Sequence, residues 1–314
     1  MPIVKQIRTD RRNRKSCWLL DHAAKVTSQF GEDGIVAKIF ELIGEQSGWC
    51  VEFGPWDGKF CSNTHDLVAN RGWSGVLIEG SPEKFAELRR TYAGNPSAVC
   101  VNGVVQPGPG KGSLDEHLAR TTIPREFDLL SIDIDGNDYF VWESLTAYRP
   151  RLVVIEFNPG IPNDIVFVQD RGVAISQGCS LRALIELGKE KGYELAVATA
   201  TNGIFVTAQE FAKLGIADND IDSIFFPPRE GKYFDGYDGT LYHVGASRLH
   251  WHKDAEFGID ELQFFWPAER VYGGGLSSGR WRKWKRRSAR FLRTRGRAMR
   301  QALKRRIAGR SERG

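Results

Sequence analysis

The sequence contains no apolar run near the roughly 20 residues that a membrane-spanning helix needs; its longest stretches are short ones such as Leu152 to Ile155. No apolar segment follows the first basic residues, which argues against a signal peptide. The five cysteines (Cys17, Cys50, Cys61, Cys100 and Cys179) are odd in number and form no CxxC pair. Neither a disulfide framework nor a zinc site is therefore expected, and free thiols fit a cytoplasmic chain. Internal repeats are absent too. Core material is plentiful: 18 Phe, 9 Trp and 8 Tyr in 314 residues exclude a disordered or fibrous chain. That length suits one sizeable α/β domain with additions, or two compact domains.

Charge is divided unevenly. From Arg280 to Gly314 there are 16 Lys/Arg and one acid, Glu312, while residues 1–20 hold six basic residues and Asp10. The whole chain is +5, so residues 21–279 carry −15. An acidic body with basic ends should have different partners at each, and the body itself would repel nucleic-acid phosphates.

Hydrophobic periodicity organises the body. Ile35, Val36, Ile39, Phe40 and Ile43 recur at helical spacing over 33–43. Strands are expected at 49–53, 75–78, 98–101, 129–134 and 152–157, and helices at 63–70, 82–92, 138–148 and 181–191. This alternation predicts an α/β fold with a doubly wound, mostly parallel sheet. Segments 193–198 and 203–207 would close it as an antiparallel hairpin. The pattern changes after about Asp218, where Pro227-Pro228, Gly231, Gly236 and Gly239 punctuate an aromatic-rich stretch. The expected divisions are a loosely held basic lead-in (1–25), a catalytic domain (26–215), an accessory segment (216–272), a Gly/Ser linker (273–279) and a basic helical tail (280–314).

The densest chemistry lies in Val51-Glu52-Phe53-Gly54-Pro55-Trp56-Asp57-Gly58 and Val76-Leu77-Ile78-Glu79-Gly80. A glycine turn closing one strand and an acid closing the next suit a nucleoside, with Glu79 at the spacing that accepts ribose hydroxyls. The turn is not GxGxxG, however. Pro55 and Trp56 stand where a pyrophosphate would need glycine, and Glu52 would repel phosphate. A positively charged, phosphate-free ligand fits better, and S-adenosylmethionine is the candidate.

These residues resemble the FkbM-type, S-adenosylmethionine-dependent methyltransferases. The matching phrases are Ser28-Gln29-Phe30-Gly31-Glu32-Asp33, Val51 to Gly58, Ser62-Asn63-Thr64, Gly72 to Glu79, and Asp128 to Asp138, together covering about residues 25–210. The resemblance implies a Rossmann-like methyltransferase fold, with Glu52, Gly54, Asp57, Gly58, Asn63, Glu79 and Asp133 holding the cofactor. It also implies O-methylation of a sugar, other glycan or small-metabolite hydroxyl. Pro55 stands where the family often has alanine, and His65 where an aromatic is commoner; the second departure points to a different substrate.

Asp133 and Asp135 alternate, so on a strand both would face the ligand crevice, and Glu156 and Asn158 end the next strand the same way. Four such oxygen ligands could hold magnesium or calcium, a layout similar to metal-dependent catechol-type methyltransferases. The alternative is that Asp133 meets the cofactor's amino group while the others cap or hydrogen-bond. Asp135, Glu156 and His65 are the candidate bases for an acceptor hydroxyl. Ser28, Gln29 and Asp33 either line the site or cap the first helix. Tyr242, His243, His250, Trp251 and His252 read as an aromatic satellite core or a substrate-facing surface, because no cysteine supports a zinc site.

The tail places Trp281, Trp284, Phe291, Ala298, Ala302 and Ile307 largely along one helical stripe among 15 Lys/Arg up to Arg310. Such a helix suits an anionic membrane surface, with nucleic acid as the other candidate partner. Peripheral attachment to the inner face of the membrane is the corresponding expectation. A catalytically degenerate fold tethered by this tail is the alternative function from another class.

Overall fold

The computed structural model describes residues 3–172, 174–228, 230–249, 255–265, 267 and 270. Seven strands form one sheet: β1 (Trp49–Phe53), β2 (Ser74–Glu79), β3 (Ala98–Asn102), β4 (Glu126–Ile132), β5 (Arg149–Glu156), β6 (Tyr193–Ala198) and β7 (Asn202–Thr207). Their order is β3-β2-β1-β4-β5-β7-β6. The β1–β2, β2–β3, β1–β4 and β4–β5 pairs are parallel, and β7 runs antiparallel to both β5 and β6. This is the doubly wound, Rossmann-like sheet with a closing hairpin that the alternation predicts.

Apolar runs make the central strands, since a parallel sheet is covered on both faces. One face packs on α1 (Glu32–Ile43), α2 (His65–Asn70) and α3 (Pro82–Thr91), through Ile35, Ile39, Phe40, Leu67 and Leu88. The other packs on α4 (Leu114–Leu118), α5 (Asp138–Ser144) and α6 (Leu181–Glu190), through Leu114, Leu118, Trp142 and Leu184. Ser81, Ser113 and Ser180 cap α3, α4 and α6 by accepting a backbone N–H.

The first compact unit runs from Met1 to Gly231 and the second begins at Lys232. Much of the basic lead-in is pinned within the first unit rather than loose. Ser16 and Leu19 are fully buried, and the Asn13 N–H donates to the Ser223 carbonyl at 2.8 Å. The Arg8 guanidinium lies 4.3 Å from the Phe226 ring centre and donates to the Pro227 carbonyl. Sequence periodicity cannot see this, because the anchors are single residues separated by polar ones. Within the second unit β8 (Gly231–Asp235) pairs with β9 (Leu241–Gly245). There Phe234 stacks on Tyr242 at 5.1 Å and His243 meets Tyr233 and Phe257.

At the starts of the strands, Asp128 accepts the backbone N–H groups of Gln46, Ser47 and Gly48 and the Arg151 guanidinium at 2.8 Å. Burial alone would raise Asp128, but Arg151 and these N–H groups outweigh it and hold the carboxyl below its usual range. Arg151 also donates to Glu210 at 2.6 Å. The polar network therefore locks the bottom of the sheet and leaves the opposite, C-terminal ends of the strands for a ligand.

Candidate functional site

The turn after β1 is shaped by close approach. Gly54 has φ 77°, and a Cβ there would lie 2.2 Å from the Asp133 carbonyl oxygen, so glycine alone lets β1 end against β4. Trp56 is left-handed as well, at φ 52°. That conformation aims its N–H at Glu79 Oε2 (3.1 Å) and leaves its ring half exposed. Ser81 N–H donates to the other Glu79 oxygen at 2.7 Å. Glu79 thus closes β2 beside the turn, with its oxygens held in place and lone pairs to spare. Asp57 accepts the N–H groups of Lys59 and Phe60. These bonds and the Lys84 ammonium overcome its burial and lower its pKa.

Glu52 is directed inward. One oxygen accepts Ser62 Oγ at 2.6 Å and Thr64 Oγ1 at 2.8 Å; the other accepts Asn63 N–H at 2.8 Å and Ser131 Oγ at 3.3 Å. Burial pushes its pKa up while the four donors oppose the shift. Asn63 donates its side-chain N–H to Ser131 at 3.1 Å. Glu52 and Asn63 therefore tie the Ser62-Asn63-Thr64 loop to β1 and β4.

The strand-end acids do converge. Carboxylate oxygens of Asp133, Asp135 and Glu156 all lie within 4.8 Å of one another, and this is the only such group among the described residues. They reach that arrangement by a route different from strand alternation. β4 stops at Ile132, and Asp133 and Asp135 sit on the following turn, with Asp135 left-handed at φ 55°. The Asp138 carboxylate ends the strand by accepting the N–H groups of Ile134 and Gly136 at 2.9 Å each. Asp133 is pushed up to about 8, first by burial and then by the charges of Asp138, Asp135, Glu52 and Glu32. Glu156 is pushed up to about 10 by burial and by Asp133, Asp138 and Asp135. Near neutrality the crowded cluster retains protons.

Asn158 follows the end of β5 and directs its side chain into its own loop. Its amide donates to the Gln177 carbonyl at 3.0 Å and accepts Gly160 N–H at 2.9 Å. His65 opens α2, with Nδ1 2.9 Å from the Gly58 carbonyl and 3.1 Å from Tyr92 Oη. Its ring is thus engaged beneath the β1 turn. Gly31 holds the N-cap position of α1, while Ser28 Oγ accepts the Asp33 N–H of the first turn at 3.1 Å and Asp33 gathers the N–H groups of Val26, Thr27 and Ser28. His250, Trp251, His252 and the tail lie outside the described residues.

Sequence reasoning missed Glu32 as an acid of this crevice. It is fully buried, accepts Thr199 Oγ1 at 2.7 Å and Asn202 Nδ2 at 3.0 Å, and adds negative charge near Asp133. The signal was present in Gly31-Glu32-Asp33, an acid at a helix start, but its partners are some 170 residues away. A separate hollow of about 590 Å³ lies along α1 and α2, lined by Lys38, Glu41, Glu45 and Arg71 among others, and contains none of the strand-end acids.

No family model and no curated protein matches the chain in sequence. Among solved structures it is similar to the CMeT domain of the citrinin polyketide synthase, at 12% identity, 51% coverage of this chain, 46% of that one and a TM-score of 0.35. It is also similar to the mitomycin 7-O-methyltransferase, at 14% identity, 55% and 53% coverage and a TM-score of 0.33. A third is a SAM-dependent methyltransferase from Aquifex aeolicus, at 10% identity, 55% and 88% coverage and a TM-score of 0.33. The chain spans about half the length of the first two. No helix among the described residues is long and apolar enough to cross a membrane.

Proposed function

We propose that this protein is an S-adenosylmethionine-dependent methyltransferase of FkbM type that methylates a hydroxyl of a sugar, another glycan or a small metabolite. The observation that carries the reading is the crowding of carboxyl groups where the strands end, whose raised pKa values record burial and mutual repulsion that a cationic ligand would relieve. Glu32, Glu52, Asp133, Asp135 and Asp138 crowd together beside a glycine turn, and Glu79 closes the neighbouring strand. Phosphate would be repelled there, whereas a sulfonium and an ammonium would be attracted. Glu79 would accept the ribose hydroxyls, and the Gly54–Gly58 turn would let the ligand approach the backbone.

Methyl transfer is a direct displacement, so the protein's task is to align acceptor oxygen, methyl carbon and sulfur and to take up the hydroxyl proton. Asp135 and Glu156 are the carboxyl groups placed for that proton, Glu156 only in its deprotonated form, which burial and its acidic neighbours disfavour near neutrality. Asp133, Asp135 and Glu156 also fit a hard divalent cation, being oxygen donors drawn together against their own repulsion. When bound, magnesium or calcium would lower the pKa of an acceptor hydroxyl and orient it. The basic segment from Arg280 to Arg310 is proposed to hold the protein at an anionic membrane surface.

The test is a methyl-transfer screen with labelled S-adenosylmethionine against nucleotide sugars and polysaccharide fragments, before and after exhaustive chelation. The reading expects label in one acceptor class, lost on chelation and restored by magnesium or calcium. Turnover that survives chelation rejects the cation. Failure to bind S-adenosylmethionine rejects the enzyme in favour of a degenerate binding module.

A further inference from the structure

The turn that would cradle the cofactor is also held by side chains from α2 and α3. Gly58 has φ 80°, and a Cβ there would stand 2.5 Å from Leu88 and 2.8 Å from the Tyr92 ring, so α3 packs directly under it. Thr91 Oγ1 donates to the Asp57 carbonyl at 2.6 Å, and Tyr92 Oη donates to the Gly58 carbonyl at 3.0 Å. From the other side, α2 brings His65 Nδ1 to 2.9 Å from the same Gly58 oxygen. These contacts fix the ring's proton. A carbonyl only accepts, so a bare Nδ1 would set two lone pairs against each other at 2.9 Å. With Nδ1 protonated, His65 and Tyr92 both donate to Gly58, and each of its lone pairs is used. Two residues upstream, the same turn presents Trp56 N–H to Glu79 at 3.1 Å.

We propose that His65 is a positioning residue: through its Nδ1–H bond to the Gly58 carbonyl it sets the 54–58 turn, and through that turn the Glu79 carboxylate that receives the ligand. Its role is therefore not that of the base. The inference rests on the methyltransferase reading for the identity of the ligand, and on the contacts above for the role of the residue.

The probe is S-adenosylhomocysteine titrated calorimetrically into the full-length wild type and four variants, with thermal melting recorded for each. Asn at position 65 offers an amide N–H where the imidazole carries Nδ1–H, whereas Gln reaches one bond further, to the position of Nε2. His65→Leu and His65→Gln should weaken binding by about tenfold, and His65→Asn should stay within about threefold of wild type, because only it restores the donor. Tyr92→Phe, which removes the second donor on Gly58, should fall between them. A merely structural histidine would not separate Asn from Gln in affinity at equal melting temperature. Wild-type affinity in His65→Leu, or equal losses in His65→Asn and His65→Leu, would overturn the inference. No binding by the wild type itself would bring down the methyltransferase reading and this inference with it, an outcome distinct from both.

Discussion

At the scale of single residues, Glu79 carries the sharpest expectation. It is nearly buried, and each oxygen already holds one backbone N–H, leaving capacity for a diol. Glu79→Ala should weaken S-adenosylmethionine binding by about 1–3 kcal/mol, the usual cost of unpairing buried polar groups. Equilibrium dialysis measures it, and an unchanged dissociation constant in a folded variant would remove Glu79 from the site. The acid cluster gives a pH expectation. In the unfolded chain Asp and Glu titrate near about 4, while in the fold Asp133 keeps its proton up to about 8 and Glu156 up to about 10. Between those limits the folded state binds more protons, so rising pH favours unfolding. The melting temperature of the chelator-treated protein should therefore fall from pH 5 to pH 9, and Asp133→Asn should shallow that fall. An identical slope in the variant would show that the cluster does not govern it.

At the scale of elements, the β1 turn should tolerate no side chain at its first glycine. Gly54→Ala adds an unfavourable left-handed conformation, about 1–2 kcal/mol, to a Cβ placed 2.2 Å from the Asp133 oxygen. Urea unfolding should show a loss of more than about 2 kcal/mol; an unchanged midpoint would mean that β1 and β4 separate freely. The strands of this turn and their partners were legible in sequence because buried parallel strands are short apolar runs bounded by Gly, Pro and acids. β4 was harder. Its first residues, Glu126-Phe127-Asp128, read as polar, yet Asp128 is fully buried against Arg151 and the N–H groups of 46–48. α4, with Leu114 and Leu118 as its buried residues, is too short for a period to register. Within the site, Asp133, Asp135 and Glu156 were visible as strand-end acids. The inward commitment of Glu52 and the loop bonds of Asn158 were not, because Ser131 and Gln177 are distant in sequence and no local pattern encodes a long-range hydrogen bond.

At the scale of the whole molecule, the acidic body and the basic ends carry separate proposals, one for the ligand and one for location. Full-length protein should sediment with anionic liposomes at moderate salt, and a chain ending at Gly279 should not, since each basic residue near an anionic leaflet adds about 1 kcal/mol. If both forms stay in the supernatant while the full-length one shifts a nucleic-acid band, the tail serves a different polyanion. The body's part depends on one claim, that the ends of β1, β2 and β4 hold the methyl donor. A crystal structure of the protein with S-adenosylhomocysteine tests it most directly. The account predicts ribose hydroxyls within hydrogen-bonding distance of Glu79, the ligand backbone against the Gly54–Gly58 turn, and the sulfur directed towards Asp133, Asp135 and Glu156. Ligand bound elsewhere on the chain, with that crevice holding only solvent, would contradict it.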